Sequence, residues 1–205
     1  MEKNTIKWAM YLNYFVFAIL LNSVGIVILK AQRNYGVDEL EASILEAFKD
    51  LPIAIVSFLV ASFLPRIGYK RAMLIGLGLV YMACITMYFG NSFATAKLLF
   101  ATVGVSFALI KVSVYSLIGT VTENQQEHNS LMSSIEGVFM IGISLAYFLF
   151  PAFNSETNPD AWLNVYWLLA GISGVSFAFL FLAKSENQVE VPGVNLLDDF
   201  KQMFQ

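Results

Sequence analysis

The chain has 205 residues, of which 58% are hydrophobic and only 13% charged, with a mean hydropathy of +0.66. A soluble domain carries about twice that charged share, so the composition excludes a water-soluble protein and places the chain in a bilayer. The net charge of -3 excludes a basic nucleic-acid surface, and a single cysteine and a single histidine exclude a disulfide framework and a Cys/His zinc site.

Apolar runs recur at 8–29, 43–64, 72–90, 98–120, 131–153 and 161–183. Each is close to the roughly 20 residues a helix needs to cross the hydrocarbon. Lipid offers backbone amides no partner, and the short alternating strands of a barrel do not occur, so the runs are read as helices. The expectation is an all-α membrane protein: a six-helix transmembrane bundle over residues 1–183, then a cytoplasmic linker over 184–205.

The first run follows Lys3 and Lys7. It is long for the apolar core of a signal peptide and no small-x-small cleavage site follows, so it is read as a retained helix. Toward its end, LNSVGIVIL offers Asn22 as its strongly polar side chain. In the second run Glu46, Lys49 and Asp50 fall on one side at helical spacing. Either they lie in the outer half of the membrane, or helix two begins near Leu51 and EAFKD forms an interfacial turn. Three cations, Arg66, Lys70 and Arg71, surround Gly68 before the third run, which holds Cys84.

The fourth run carries Lys111. An ammonium at the middle of a membrane helix costs about 2.5–3.5 kcal/mol on insertion scales, so such a residue faces the bundle interior or water. Helical phase puts Gly104, Ala108, Tyr115 and Gly119 on the same side, whereas Ser106, Ser113 and Thr120 lie opposite and can bond their own backbone. The connection VTENQQEHNS, with Glu123, Glu127 and His128, reads as a solvated loop. In the fifth run Glu136 shares a side with Ser133, Met140 and Tyr147. At 1.5 Å per residue Lys111 lies about 14 Å and Glu136 about 8 Å from the cytoplasmic ends of their runs, within reach of an ion pair if the faces meet. Trp8, Trp162 and Trp167 stand near run ends, where they read as interfacial anchors.

Lys3, Lys7, Arg66, Lys70, Arg71 and Lys184 lie on one side, against Lys30, Arg33 and Lys97 on the other, so both termini are expected in the cytoplasm. After the sixth run, Leu196, Leu197, Phe200, Met203 and Phe204 begin an amphipathic helix capped by Asn195. It is read either as a plain surface tail or as a linker toward a second membrane half. No internal repeat stands out. No nucleophile elbow, phosphate loop or His-Glu-x-x-His helix occurs, so neither an enzyme nor a cofactor is expected.

The segment ASFLPRIGYKR, Ala61 to Arg71, resembles the cytoplasmic loop of the major facilitator superfamily, Gly-x-x-x-Asp-Arg-x-Gly-Arg-Lys/Arg-Lys/Arg. Arg66, Gly68, Lys70 and Arg71 match; Ala61, Pro65 and Tyr69 replace the glycine, the aspartate and the middle arginine. The resemblance implies a gating loop that latches helix ends. Within that superfamily, LKAQRNYGVDELEASILEAF, the RIGYKR turn and NSLMSSIEGVFMIG follow the order and spacing of the fucose permease type of sugar-proton symporter. That likeness implies the N-terminal half of a carrier in the plasma (inner) membrane, with substrate held between two six-helix halves near the midplane. Two acids of that family, in helices one and four, are missing here; the second falls on or beside Leu109.

The functional expectation is a secondary active or facilitative transporter of a small polar solute, a sugar or an organic anion, with or without proton coupling. Lys111, Asn22, Tyr115 and Glu46 are the candidate substrate ligands. Glu136, Lys49 and Asp50 are candidates for coupling or counter-charge. The alternative is a membrane scaffold or partner-binding subunit whose charges only specify packing.

Overall fold

The computed structural model describes residues 2–182, with the side chains of residues 2, 3, 61–63, 65 and 66 excepted. The expected linker and amphipathic segment of 184–205 lie outside the described residues. Among the described residues every regular element is helical: α1 (Glu2–Asn22), α2 (Val24–Tyr35), α3 (Glu39–Ile67), α4 (Tyr69–Gly90), α5 (Phe93–Val121), α6 (Gln125–Ala152), a 3-10 turn (Ala161–Leu163) and α7 (Asn164–Leu182). Among the described residues, α4, α5, α6 and α7 with its preceding 3-10 turn are long and apolar enough to cross a membrane, and the bent pair α1 and α2 is so too if it counts as one span. The remaining expected run, 43–64, lies in α3, whose first half carries Glu39, Glu41, Glu46, Lys49 and Asp50.

Local chemistry sets the boundaries. Asp38 and Asn124 cap α3 and α6 by accepting the amides of Glu41 and Glu127, at 2.7 and 2.8 Å, and Ser92 with Thr95 forms a capping box on α5. The backbone turns through positive φ at Gly36 (67°) and Gly68 (89°), where glycine carries little steric penalty. Between α1 and α2 the axis bends by 42°. There the Asn22 amide donates to the Ala18 carbonyl at 2.9 Å and the Ser23 hydroxyl to that of Leu20 at 2.7 Å. Such back-bonding bends helices.

The packing is not sequential. The largest interfaces join α3 to α5, α4 to α5, α4 to α7 and α1 to α6, followed by α1 to α7 and α1 to α5, while the consecutive pair α5 and α6 share little surface. Exchanging the unit α1–α4 with the unit α5–α7 maps this pattern onto itself: α3 on α5 becomes α6 on α1, and α4 on α5 becomes α7 on α1. Two internal units thus hide in a sequence without a visible repeat.

Glycines permit the matching approaches. A Cβ on Gly104 would overlap the Lys49 carbonyl of α3, and one on Gly142 would stand 2.6 Å from the Ala18 Cβ and 2.9 Å from the Phe15 carbonyl oxygen of α1. Small residues at such crossings let helix backbones meet where lipid gives no hydrophobic drive. One expected anchor is corrected. Trp162 is 0% exposed, packed in the core by the 3-10 turn against Tyr166, whereas Trp8 and Trp167 are exposed.

Candidate functional site

The site forms where α1, α5 and α6 converge. Helix α6 starts at Gln125, earlier than its apolar run, because a polar segment capped by Asn124 continues the helix below the hydrophobic stretch. Counted from the α5–α6 turn, Lys111 is therefore about 15 Å along α5 and Glu136 about 16 Å along α6. The two charges lie at one level, deeper for Glu136 than hydropathy alone indicated.

They do not form an ion pair. The Tyr115 hydroxyl, one turn nearer the connection than Lys111, donates to Glu136 Oε1 at 2.6 Å. It is the one side-chain hydrogen bond joining α5 to α6 among the described residues. Lys111 is exposed, and its Nζ lies 5.8 Å from the centre of the Phe107 ring and 5.9 Å from that of Tyr115. Phe107, Lys111 and Tyr115 stand at i, i+4 and i+8, so a single face of α5 holds the cation between two aromatic rings.

Beneath the cation the rings continue into the bundle. Phe107 packs on Phe139 of α6 and on Phe17 of α1, at 6.0 and 5.8 Å between centres. Tyr14 of α1 packs on Phe107, Tyr115 and Phe139. Tyr14 is 1% exposed, and its hydroxyl has no hydrogen-bond partner. The chemistry available is thus an uncompensated cation at the surface, a half-buried carboxylate held by a phenol, and a buried hydroxyl beside them.

The other candidates are placed elsewhere. Asn22 sits at the α1–α2 break with its amide donated to its own helix. On α3, Glu46 is exposed, and Lys49 pairs with Asp50 at 3.4 Å. None of these four makes a hydrogen bond or ion pair with Lys111, Tyr115 or Glu136. Gly68 turns the chain between α3 and α4, Lys70 donates to the Phe181 carbonyl in the last turn of α7 at 3.2 Å, and Arg71 is exposed. The Arg66 side chain is not among those described. A cation on the carbonyl end of a helix is favourable through the helix dipole.

Several contributors escaped the sequence reading. Phe107 carried a signal, its i−4 relation to Lys111, whereas Tyr14 and Phe139 are ordinary aromatics of apolar runs with nothing local to single them out. Glu127, read as part of a solvated loop, instead pairs with Lys7 at 2.9 Å and accepts the Glu123 amide at 3.0 Å, tying α1 to the start of α6. One turn or two further along the same pair of helices, the Tyr11 hydroxyl meets that of Ser134 at 2.7 Å. These two residues, with Trp8, Leu12, Phe15 and Val138, line a mostly apolar groove of about 560 Å³.

No curated protein matches the chain. Residues 10–201 match the family model of the Major Facilitator Superfamily, whose members move small solutes across membranes. That match covers nearly all of the chain, and with its apolar helices this integral, multi-pass membrane protein belongs to the Major Facilitator Superfamily.

Proposed function

We propose that the chain is one six-helix half of a secondary active or facilitative carrier in which the Lys111 face of α5 takes part in binding a small polar solute. In this reading α3 completes six spans through its apolar second half, both termini lie in the cytoplasm of a plasma (inner) membrane protein, and a second six-helix half closes the cleft over α1, α5 and α6. The observation that carries it is Lys111 itself, an exposed ammonium at mid-helix with no carboxylate partner among the described residues. A structural ion pair would have satisfied it internally. Left uncompensated, it suits an organic anion or a ring of hydroxyls, with Tyr115 beside it as donor and Glu136 as counter-charge and proton acceptor. Coupling would then run through Glu136, since the two family acids are absent.

The other members of the proposed set serve different steps. Asn22 at the α1–α2 break, and Glu46, Lys49 and Asp50 on α3, are assigned to the outer half of the cleft. Gly68, Lys70 and Arg71, with Arg66, form the gating loop. The contact from Lys70 to the end of α7 supports a latch that uses a helix dipole where the family uses an aspartate. The test begins with thermal stabilisation of the purified full-length protein against a panel of sugars and organic acids. Uptake of each hit is then measured in cells bearing wild type or Lys111→Met. We expect anionic hits and a loss of uptake of tenfold or more; normal uptake at normal affinity would remove Lys111 from the binding site.

A further inference from the structure

Tyr14 is the one residue of this cluster without a task. Its phenol is 1% exposed, and its hydroxyl lacks a partner, although a buried unsatisfied hydroxyl is costly and phenylalanine would pack the same rings without it. Its ring centre lies 6.4 Å from that of Tyr115, whose own hydroxyl meets Glu136. Tyr115 meanwhile commits its proton to Glu136 at 2.6 Å, which leaves the Tyr115 oxygen free to accept.

We infer that Tyr14 is a positioning residue: its hydroxyl donates to the Tyr115 oxygen whenever Glu136 is ionised, forming a relay from α1 through α5 to α6 that sets when Glu136 takes up a proton. The inference rests on the proposed role of Glu136 as proton acceptor. A donor that itself accepts a hydrogen bond is polarised and donates more strongly, so a second phenol behind Tyr115 favours the carboxylate. When Glu136 takes a proton from water, its carboxyl becomes a donor, the phenol is no longer needed there, and the Tyr115 hydroxyl can turn toward Tyr14 or toward a solute beside Lys111. Protonation is thereby linked to the donors a solute would meet.

The groups around Glu136 are few. Helix α5 presents Tyr115 and Lys111, and α1 presents Tyr14, with Tyr11 held by Ser134 and Lys7 held farther away by Glu127. Lys111 makes no ion pair with Glu136.

The experiment is a pH titration of the purified full chain in nanodiscs, followed by difference infrared spectroscopy of carboxyl C=O bands, which needs no solute. The band lost in Glu136→Gln reports Glu136. Tyr115→Phe should move its midpoint to higher pH by about one unit or more, the worth of one hydrogen bond to a charged group. Tyr14→Phe should move it the same way by a smaller step, and the double variant should match Tyr115→Phe alone. Fluorotyrosine at position 14, a stronger donor of the same shape, should move the midpoint to lower pH, and this holds the test open if Tyr115→Phe does not fold. A Glu136 band that Tyr14→Phe and the fluorinated residue both leave in place overturns the relay while sparing Glu136 as an acceptor. The absence of any titrating band lost in Glu136→Gln removes both. A stabilised Tyr14→Phe with an unmoved midpoint would mark the hydroxyl as a packing defect.

Discussion

Helix α5 and the broken pair α1–α2 hold equivalent places in the two internal units, yet they are built in opposite ways. Helix α5 runs unbroken for 29 residues, and its Ser113 hydroxyl bonds back to Leu109 at 2.7 Å without interrupting it. At the end of α1 two adjacent side chains, Asn22 and Ser23, bond back together, and the axis turns by 42°. The contrast separates two mechanical parts. A continuous rod keeps Phe107, Lys111 and Tyr115 in fixed register on one face. The jointed helix keeps Tyr14 on the inner segment, beside that face, while α2 goes its own way along α3. The bend falls beyond Tyr14, where few side chains must hold position.

That contrast can be broken most severely at the two glycine crossings. Gly104→Leu or Gly142→Leu would drive a side chain into the backbone of α3 or α1, and we expect a loss of about 3 kcal/mol or more, read as a lowered melting temperature and poor yield. Equal damage at both sites would sharpen the equivalence of the two units; tolerance at one would break it.

Next in size is Lys111→Met, which should reduce solute uptake at least tenfold, consistent with one charge-assisted contact of about 1.5–3 kcal/mol. The same variant should melt higher than wild type, because no partner is left behind when the cation goes. A lower melting point would mean that the ammonium is satisfied within the bundle after all. Tyr115→Phe comes third. It removes the hydrogen bond between α5 and α6 and should lower stability by about 1–2 kcal/mol near neutral pH. Thermal melts of the variant and the wild type under one condition check that difference.

The smallest effect is expected at the α1–α2 bend. Asn22→Ala with Ser23→Ala removes both back-bonds and should change stability by less than about 1 kcal/mol, since each side chain serves only its own helix. Spin-label distances between α2 and α4 should nevertheless narrow in distribution as the bend relaxes. An unchanged distribution would assign the bend to tertiary packing of α2 on α3.

Much of this was legible in the residues because membrane solvation is severe and local. The cost of an unpartnered amide or an ammonium in lipid marks the apolar runs and flags Lys111 without reference to neighbours. Of Ser106, Ser113 and Thr120, read as bonding their own backbone for the same local reason, Ser113 and Thr120 do so, whereas the buried Ser106 hydroxyl has no partner. Helix starts were less legible. Hydropathy marks where a membrane edge falls, whereas a cap such as Asn124 decides where a helix begins, and Glu136 moved deeper as a result.

By itself the sequence determined the solvent, the all-helical class, the superfamily resemblance of the loop around Gly68 and the cation at Lys111, because each follows from residue type and short-range spacing. Only the tertiary structure decided that Tyr115 meets Glu136, that Tyr14 stands behind it, that Trp162 is buried rather than interfacial, and that two units repeat in space. Those outcomes depend on which helix faces meet, and in lipid that choice rests on close packing at positions such as Gly104 and Gly142 rather than on a hydrophobic pattern that sequence can display.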